Sequence, residues 1–333
     1  MVTIKEIAAR TGFSTATVSR LLNDDPTFSV SSQTKKKILG VAKSLGYQHQ
    51  RKGNSTNHNI SLLYSISPQK ELSDIFYNDL RNSIIEFAAE IGMTLSFVRH
   101  ANEIPENSDG FIAVGYYDQQ EIEQLKQLSI HGVFLEYNPS YHDFDSIKFN
   151  FQQIVKEAIV LFINNHFHSI GFIGGPSWSS NLKPHNHDDV RTQYFEYYTK
   201  RAGVFDDQAI FIGDSFSVSS GFTLGKQIIK QYSGKPLPEG FLVATDPLAV
   251  GVLQAFNESR IVVPDDTTLI SINDNDIAKY VSPPLTSFHL DVNQLGSSSV
   301  NFLQQVIDTP NRQSTTILLG AELVYRKSFP EPS

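Results

Sequence analysis

Apolar positions at Ile4, Ile7 and Ala8 recur at one-face helical spacing until Gly12 breaks the run. Thr3 followed by Glu6 has the spacing of a capping box, so a short helix is predicted between them and Gly12. After Phe13, Ser14 is placed to cap a second helix. Its apolar stripe is Val18, Leu21 and Leu22, which leaves Thr15, Ala16, Ser19 and Arg20 facing outward. A third amphipathic segment runs from Ser31 to Leu45, with Ile38, Val41, Ala42 and Leu45 inward and Lys35, Lys36 and Lys37 near its start. Helix, glycine-containing turn, helix is the helix-turn-helix pattern.

From Ile60 onward the period changes. The runs ISLLYSI, TLSFV, GFIAVG, VFLEY, SIGFIGG, AIFIGD, GFLVATD and TLISIND read as strands. Helical patterns cover Ile75 to Ile91, Glu121 to Leu128, Phe151 to Asn165, Val218 to Tyr232 and Leu248 to Glu258. Such alternation argues for parallel sheets flanked by helices, and the number of units favours two doubly wound lobes over one. The fold class expected is α/β, with a three-helix head on residues 1–47, a linker on 48–59 and a two-lobed body on 60–333.

Charge sharpens this division. Residues 1–58 hold nine Lys or Arg against three acids, a net +6 in a chain whose formal charge is −8, so the rest carries −14. A basic head on an acidic body suits a head that meets a polyanion while the body is repelled by it. On the second helix, small Thr15 and Ala16 allow close approach to base edges in a major groove, Arg20 can donate twice to a guanine, and the Thr17 and Ser19 hydroxyls can reach phosphates.

Some classes are excluded or disfavoured. The absence of cysteine removes disulfides, thiolate nucleophiles and Cys-ligated zinc. No signal-peptide pattern and no apolar run near 18 residues occurs, so a cytoplasmic protein without a membrane partner is expected. HNHDD at His185–Asp189 has metal-binding ingredients but an incomplete spacing, and reads better as a polar loop. The GGP at Gly174 lacks the rest of a phosphate loop, and no nucleophile elbow, acid pair or cofactor fingerprint is found. An enzyme is not expected, nor any cofactor or metal.

Ligands of open α/β sheets sit beyond the carboxyl ends of the strands. The loops there contain Asp74, Phe76 and Tyr77; Tyr137 and Asn138; Trp178, His185 and Arg191; Ser215 and Phe216; Thr245 and Asp246; and Asn273, Asp274 and Asp276. Aromatic rings, one arginine and several amide or acid groups suit a sugar, whose apolar face stacks while its hydroxyls pair with planar polar groups.

TIKEIAARTGFSTATVSRLLN followed by VSSQTKKKILGVAKSLGY resembles the DNA-binding head of the LacI/GalR family of bacterial repressors over nearly its whole length. The resemblance implies DNA contacts from the caps Thr3 and Ser14, from Thr15, Ala16, Thr17, Ser19 and Arg20, and from Asn23, Ser29, Val30, Ser31 and Thr34. The body resembles the same family's effector domain, itself similar to periplasmic sugar-binding proteins. HFHSIGFIGGP, VATDPLAVGVL and SINDNDIAKYVSPPLTSFHLD carry that likeness. It places Arg191, Phe216, Asp246, Thr245 and Asn273 at effector contacts, with threonine where relatives have asparagine and asparagine where aspartate is common. It also implies three crossings between lobes, giving 60–153 with 289–316 in one lobe and 154–288 with 317–333 in the other. The function implied is a repressor of sugar-utilisation genes, a homodimer or tetramer on a pseudo-palindromic operator, controlled by galactose or a galactoside. An activator, a corepressor-dependent regulator and a sugar-processing enzyme are the rival readings.

The linker departs from the family. Where relatives carry a hinge helix whose leucine wedges between base steps, QHQRKGNSTNHNI offers no Leu, Ala or Pro and several weak helix formers. Arg51 and Lys52 remain as phosphate contacts. Circular-permutation electrophoresis is therefore expected to show an operator bent less than is usual for the family, and a large bend would refute this.

Overall fold

The computed structural model describes residues 3–22, 30–45, 58–68, 71, 74–176, 189–309 and 312–331. The chain divides into two compact units, Met1–Thr56 and Asn57–Ser333.

The first unit contains α1 (Ile4–Thr11), α2 (Thr15–Leu22) and α3 (Ser32–Ser44). The expected capping box opens α1: the Thr3 hydroxyl accepts the Glu6 N–H at 3.3 Å, and the Glu6 carboxylate accepts the Thr3 N–H at 3.1 Å. Gly12 ends α1 in the left-handed region at φ 76°, a conformation in which glycine escapes the Cβ clash. Ser14 then caps α2 by accepting the Thr17 N–H at 3.0 Å, and Ser31 caps α3 through the Thr34 N–H at 3.2 Å. Ile7, Ala8, Val18, Leu22, Ile38 and Ala42 close the core, with Phe13, Leu21, Val41 and Leu45 packed around it.

The second unit is built on two six-stranded sheets. Its first lobe begins with β1 (Asn59–Tyr64), α4 (Ile75–Glu90), β2 (Thr94–Val98), β3 (Gly110–Val114), α5 (Gln119–Gln127), β4 (His131–Leu135) and β5 (Asp145–Phe149). The chain then crosses to α6 (Phe151–Asn164), β6 (Ile170–Gly174), α7 (Val190–Ala202), β7 (Ile210–Ile212), α8 (Val218–Gln231), β8 (Gly240–Val243), α9 (Asp246–Glu258), β9 (Thr268–Asn273), α10 (Ile277–Tyr280) and β10 (Thr286–His289). It returns for α11 (Val292–Asp308) and β11 (Thr316–Leu319), and ends on β12 (Glu322–Val324). The sheet orders are β11-β5-β4-β3-β1-β2, all parallel, and β12-β10-β9-β8-β6-β7, parallel except for β12 against β10. Because β11 pairs with β5 through Leu319, the last crossing falls between Leu319 and Glu322, a few residues beyond the expected boundary at 316. Two crossings are tied together where the Asn150 N–H donates to the Leu319 carbonyl at 2.8 Å.

Elements without a clean apolar period escaped the sequence reading. β5 carries Asp145 and Lys148 in five residues, yet Asp145 is buried because Arg312 and the Thr315 N–H satisfy its carboxylate. α11 also escaped, although its buried Leu295, Phe302, Leu303 and Val306 keep a helical period; Gly296 on the same face lets α4 approach, since a Cβ there would lie 2.2 Å from the Ser83 hydroxyl. The same device joins α8 to α9, where a Cβ on Gly251 would meet the Val218 carbonyl at 2.0 Å and the Phe222 nitrogen at 2.4 Å. Backbone atoms cannot swing aside as a side-chain end can. Gly251→Ala is therefore expected to lower unfolding stability by about 1–3 kcal/mol through forced overpacking, seen in urea titration as a lower midpoint with little change in slope.

Candidate functional site

On the head, Thr15, Ala16 and Arg20 of α2 are exposed on the side away from Val18 and Leu22, while Thr17 and Ser19 are half-buried. The Thr17 hydroxyl lies 2.9 Å from that of Ser14, so the pair acts as a cap as well as a surface. Lys35, Lys36 and Lys37 are exposed at the start of α3, and the Lys37 ammonium sits 5.5 Å from the Phe13 ring centroid. Val30 and Ser31 precede that helix. Asn23, Ser29 and Arg51 lie outside the described residues.

In the body, a cavity of about 290 Å³ lies where the carboxyl ends of the two sheets face one another. This is at the lower edge of the roughly 300–1,000 Å³ usual for small-molecule clefts. Asp74, Phe76, Tyr77 and Tyr137 line it from the first lobe, and Arg191, Phe216, Thr245 and Asn273 from the second. Eight of the sequence-derived residues are thus brought together. Trp178 and His185 lie outside the described residues.

Arg191 is the most heavily constrained side chain of the cavity wall. Asp189 caps α7, accepting the Arg191 N–H at 2.9 Å, and its two oxygens take the guanidinium Nε and Nη2 at 2.8 Å each. Nη1 donates to the Ala244 carbonyl at 3.0 Å. The guanidinium also stacks against Phe216 and Phe151, 4.6 and 5.2 Å from their ring centroids. Burial lowers its pKa, but Asp189 outweighs that and the net shift is upward. Of its five N–H groups, three are engaged with partners among the described residues. The turn at Gly174–Gly175 serves this arrangement, since a Cβ on Gly175 would strike the Phe216 ring at 2.9 Å.

Two further polar groups reach the cavity without described protein partners. The Thr245 hydroxyl is buried and has no hydrogen-bond partner among the described residues. Leaving such a group unsatisfied costs about 1–3 kcal/mol. Asn273 closes β9 with a left-handed φ of 116°, and its backbone carbonyl accepts the Leu290 N–H at 3.2 Å while its side chain lines the cavity.

Other expected contacts do other work. Asp246 is fully buried behind Thr245 and accepts bonds from the Ser271 and Ser287 hydroxyls and the Asn275 N–H. Burial pushes its carboxyl up to about 6 against the pull of those three donors. It is an anchor for the loop after β9 and not part of the cavity wall. Asn138 is committed to the Phe144 carbonyl and Ser146, Asp274 pairs with Arg326 at 2.6 Å, and Asp276 is exposed beside Lys279. Conversely, Glu136 and Phe151 line the cavity although the sequence reading passed over them. Glu136 directly precedes Tyr137 at the end of β4, and the strand-end rule that selected Tyr137 applies equally to it. Phe151 stands at a crossing, a position no local pattern reveals. Among the described residues there is no metal-binding cluster and no helix long and apolar enough to cross a membrane.

A family model described as bacterial regulatory proteins of the lacI family matches residues 3–50, and one for the periplasmic binding protein-like domain matches residues 160–329. The transcriptional regulator GanR of Bacillus subtilis strain 168 is 36% identical, the alignment covering 99% of this chain and 100% of that one. LacR of Lactobacillus helveticus is 38% identical over 99% and 98%, and GalR of Lacticaseibacillus casei 36% over 98% and 99%. Among solved structures, the Lac repressor dimer bound to operator and the anti-inducer ONPF shares the fold with TM-score 0.67, 23% identity and 99% coverage of both chains. The regulator CelR in its cellobiose complex does so with TM-score 0.67, 19% identity and coverage of 98% and 100%. The chain belongs to the lacI family of bacterial regulatory proteins and is a DNA-binding transcriptional repressor.

Removing the guanidinium while leaving Asp189 strands a buried carboxylate. Arg191→Met should destabilise the protein by about 3–5 kcal/mol, whereas Arg191→Met combined with Asp189→Asn keeps a capping oxygen and should recover much of that loss, both read from urea unfolding.

Proposed function

We propose that this repressor controls sugar-utilisation genes as a homodimer, that the α2 faces of two heads read a pseudo-palindromic operator, and that an uncharged sugar bound between the lobes sets operator affinity. The observation that carries the effector reading is the cavity itself: a clamped, stacked arginine beside an asparagine amide and a threonine hydroxyl that has no partner among the described residues. Aromatic rings for a sugar's apolar face and planar groups for its hydroxyls are what carbohydrate recognition requires. Galactose or a galactoside is the favoured effector, supported by the names GanR, LacR and GalR carried by relatives at 36–38% identity.

Dimerisation follows from the small reach of one head. Thr15, Ala16 and Arg20 offer few base contacts, and two tethered copies gain effective concentration for the second half-site. The sugar controls binding only by favouring one of two body conformations over the other.

The test is a mobility-shift assay on the promoter next to candidate sugar genes, with galactose, lactose, other galactosides, glucose and ribose added singly. One galactose-type sugar is expected to change operator affinity by about 5–150-fold, the usual range of allosteric coupling; no response to any sugar would sink the effector reading. In the same assay Arg20→Ala should weaken specific binding by about 1–3 kcal/mol and nonspecific binding much less. Equal losses on both would remove Arg20 from base reading.

A further inference from the structure

The wall of the first lobe continues past the cavity as a run of tyrosines. Tyr137 lines the cavity, and the ring of Tyr116 lies 6.0 Å from it, centroid to centroid, at an interplanar angle of 42°. Tyr116 follows Gly115, which also lines the cavity, but is not part of the lining itself, so the two rings lead outward from the wall. Tyr141, on the same loop as Tyr137, is 59% exposed. It stands close enough to act on Tyr137: burial, and then Tyr116 and Tyr141, push the Tyr137 hydroxyl above its ordinary pKa.

Exposed loop tyrosines ordinarily swing, but these are held. The Asn138 amide donates to the Phe144 carbonyl at 3.2 Å and the Ser146 hydroxyl at 3.0 Å, and its own oxygen accepts the Ser140 N–H at 2.9 Å. The Tyr141 carbonyl accepts the Ser314 hydroxyl. Its phenol oxygen accepts the Lys148 ammonium at 3.1 Å, and that ammonium lies 5.4 Å from the ring centroid. Tyr116 is fixed from both sides. Before it, Gly115 has φ 109°, and a Cβ there would lie 2.1 Å from the Ser65 hydroxyl. After it, buried Tyr117 donates to the Leu63 carbonyl at 2.7 Å and the Val114 carbonyl at 3.0 Å.

We propose that this rail of tyrosines is a second subsite, in which Tyr116 and Tyr141 stack on a second pyranose ring, so that the effector is a galactose-containing disaccharide or oligosaccharide in preference to free galactose. The inference rests on the sugar-effector reading above. At about 290 Å³ the cavity stands at the small end for ligand clefts, and a larger sugar has to extend beyond it. Tyr137 belongs to both the cavity and the rail, which makes them continuous. The apolar face of a pyranose presents C–H groups that suit the electron-rich face of an aromatic ring. Rings already held in place lose little freedom when the sugar arrives, so more of the stacking appears as affinity.

The experiment is isothermal titration of the full chain with D-galactose, methyl β-D-galactoside, lactose and galactobiose, for the wild type, Tyr116→Ala, Tyr116→Phe and Tyr141→Ala. The wild type is expected to bind one of the two disaccharides about tenfold more tightly than galactose or its methyl glycoside, a gain of the size that ring stacking supplies. Tyr116→Ala should remove most of that gain while changing galactose affinity less than about twofold. The retained galactose binding also shows that the variant is folded. Tyr116→Phe, which keeps the ring, should keep the gain. Tyr141→Ala, at an exposed position, should lower disaccharide affinity alone, and it decides the matter if Tyr116→Ala does not fold. Disaccharides that bind no more tightly than galactose, or alanine variants that weaken galactose and disaccharide by the same factor or weaken neither, overturn the subsite and leave the sugar reading standing. Failure of all four sugars to bind the wild type overturns the sugar reading and this inference with it.

Discussion

Arg191 draws together four separate stretches of the second unit. Its own helix begins with Asp189, which holds the guanidinium by both oxygens; Ala244 just after β8 takes a third bond; the rings of Phe216 after β7 and Phe151 at the first crossing lie against the guanidinium. A lysine could supply the charge but neither the fork nor the flat face. Once the guanidinium is fixed in this way, it stands in the cavity wall as part of a rigid frame, and a ligand loses little entropy in ordering it. The pair is buried, so its worth lies less in net stability than in the single orientation it enforces.

That orientation matters because of how the sheets are wound. In each lobe the strand order reverses beside the first strand laid down, β1 in one sheet and β6 in the other, so loops at the carboxyl ends splay apart and leave a crevice. Two such crevices face one another across three crossings, and the cavity takes residues from both. The glycines at 221, 225 and 251 allow α8 and α9 to approach closely behind the second sheet. Asp246, buried behind Thr245, ties the loop after β9 to β9 and β10 through Ser271, Ser287 and the Asn275 N–H, which steadies Asn273 at the cavity.

Wherever apolar period, cap and turn agreed, the sequence was legible. The capping box at Thr3, the turn at Gly12 and the core of the head were all readable, as were the eight apolar strands, to within a few residues. Legibility failed where burial is achieved by other means. Asp145 hides its charge in an ion pair with Arg312, so β5 does not show the expected run of apolar residues. The site behaved similarly. Residues at strand ends could be nominated, but the sequence did not separate Thr245, which faces the cavity, from Asp246, its neighbour, which faces the core. Two adjacent polar residues at a helix start point in directions that only the packed sheet defines.

The cavity also bears on how binding could move the lobes. Phe151 and Leu290 sit at crossings and line the cavity, so a ligand touches the hinge as well as both walls. The crossings are not loose: Asn150 bonds to Leu319, and Leu290 to Asn273. A pivot restrained in this way favours rigid-body rotation of the lobes over local loop adjustment. Groups lacking described partners occur on both walls, the Thr245 hydroxyl on one and Glu136 Oε2 on the other. On the proposed reading, a sugar held by both walls stabilises the interlobe angle at which those contacts form. Its effect on the equilibrium is bounded by the difference in binding free energy between that angle and any other. On that reading, polar groups on both walls favour the closed angle, because opening the lobes would cost the ligand its contacts with one wall.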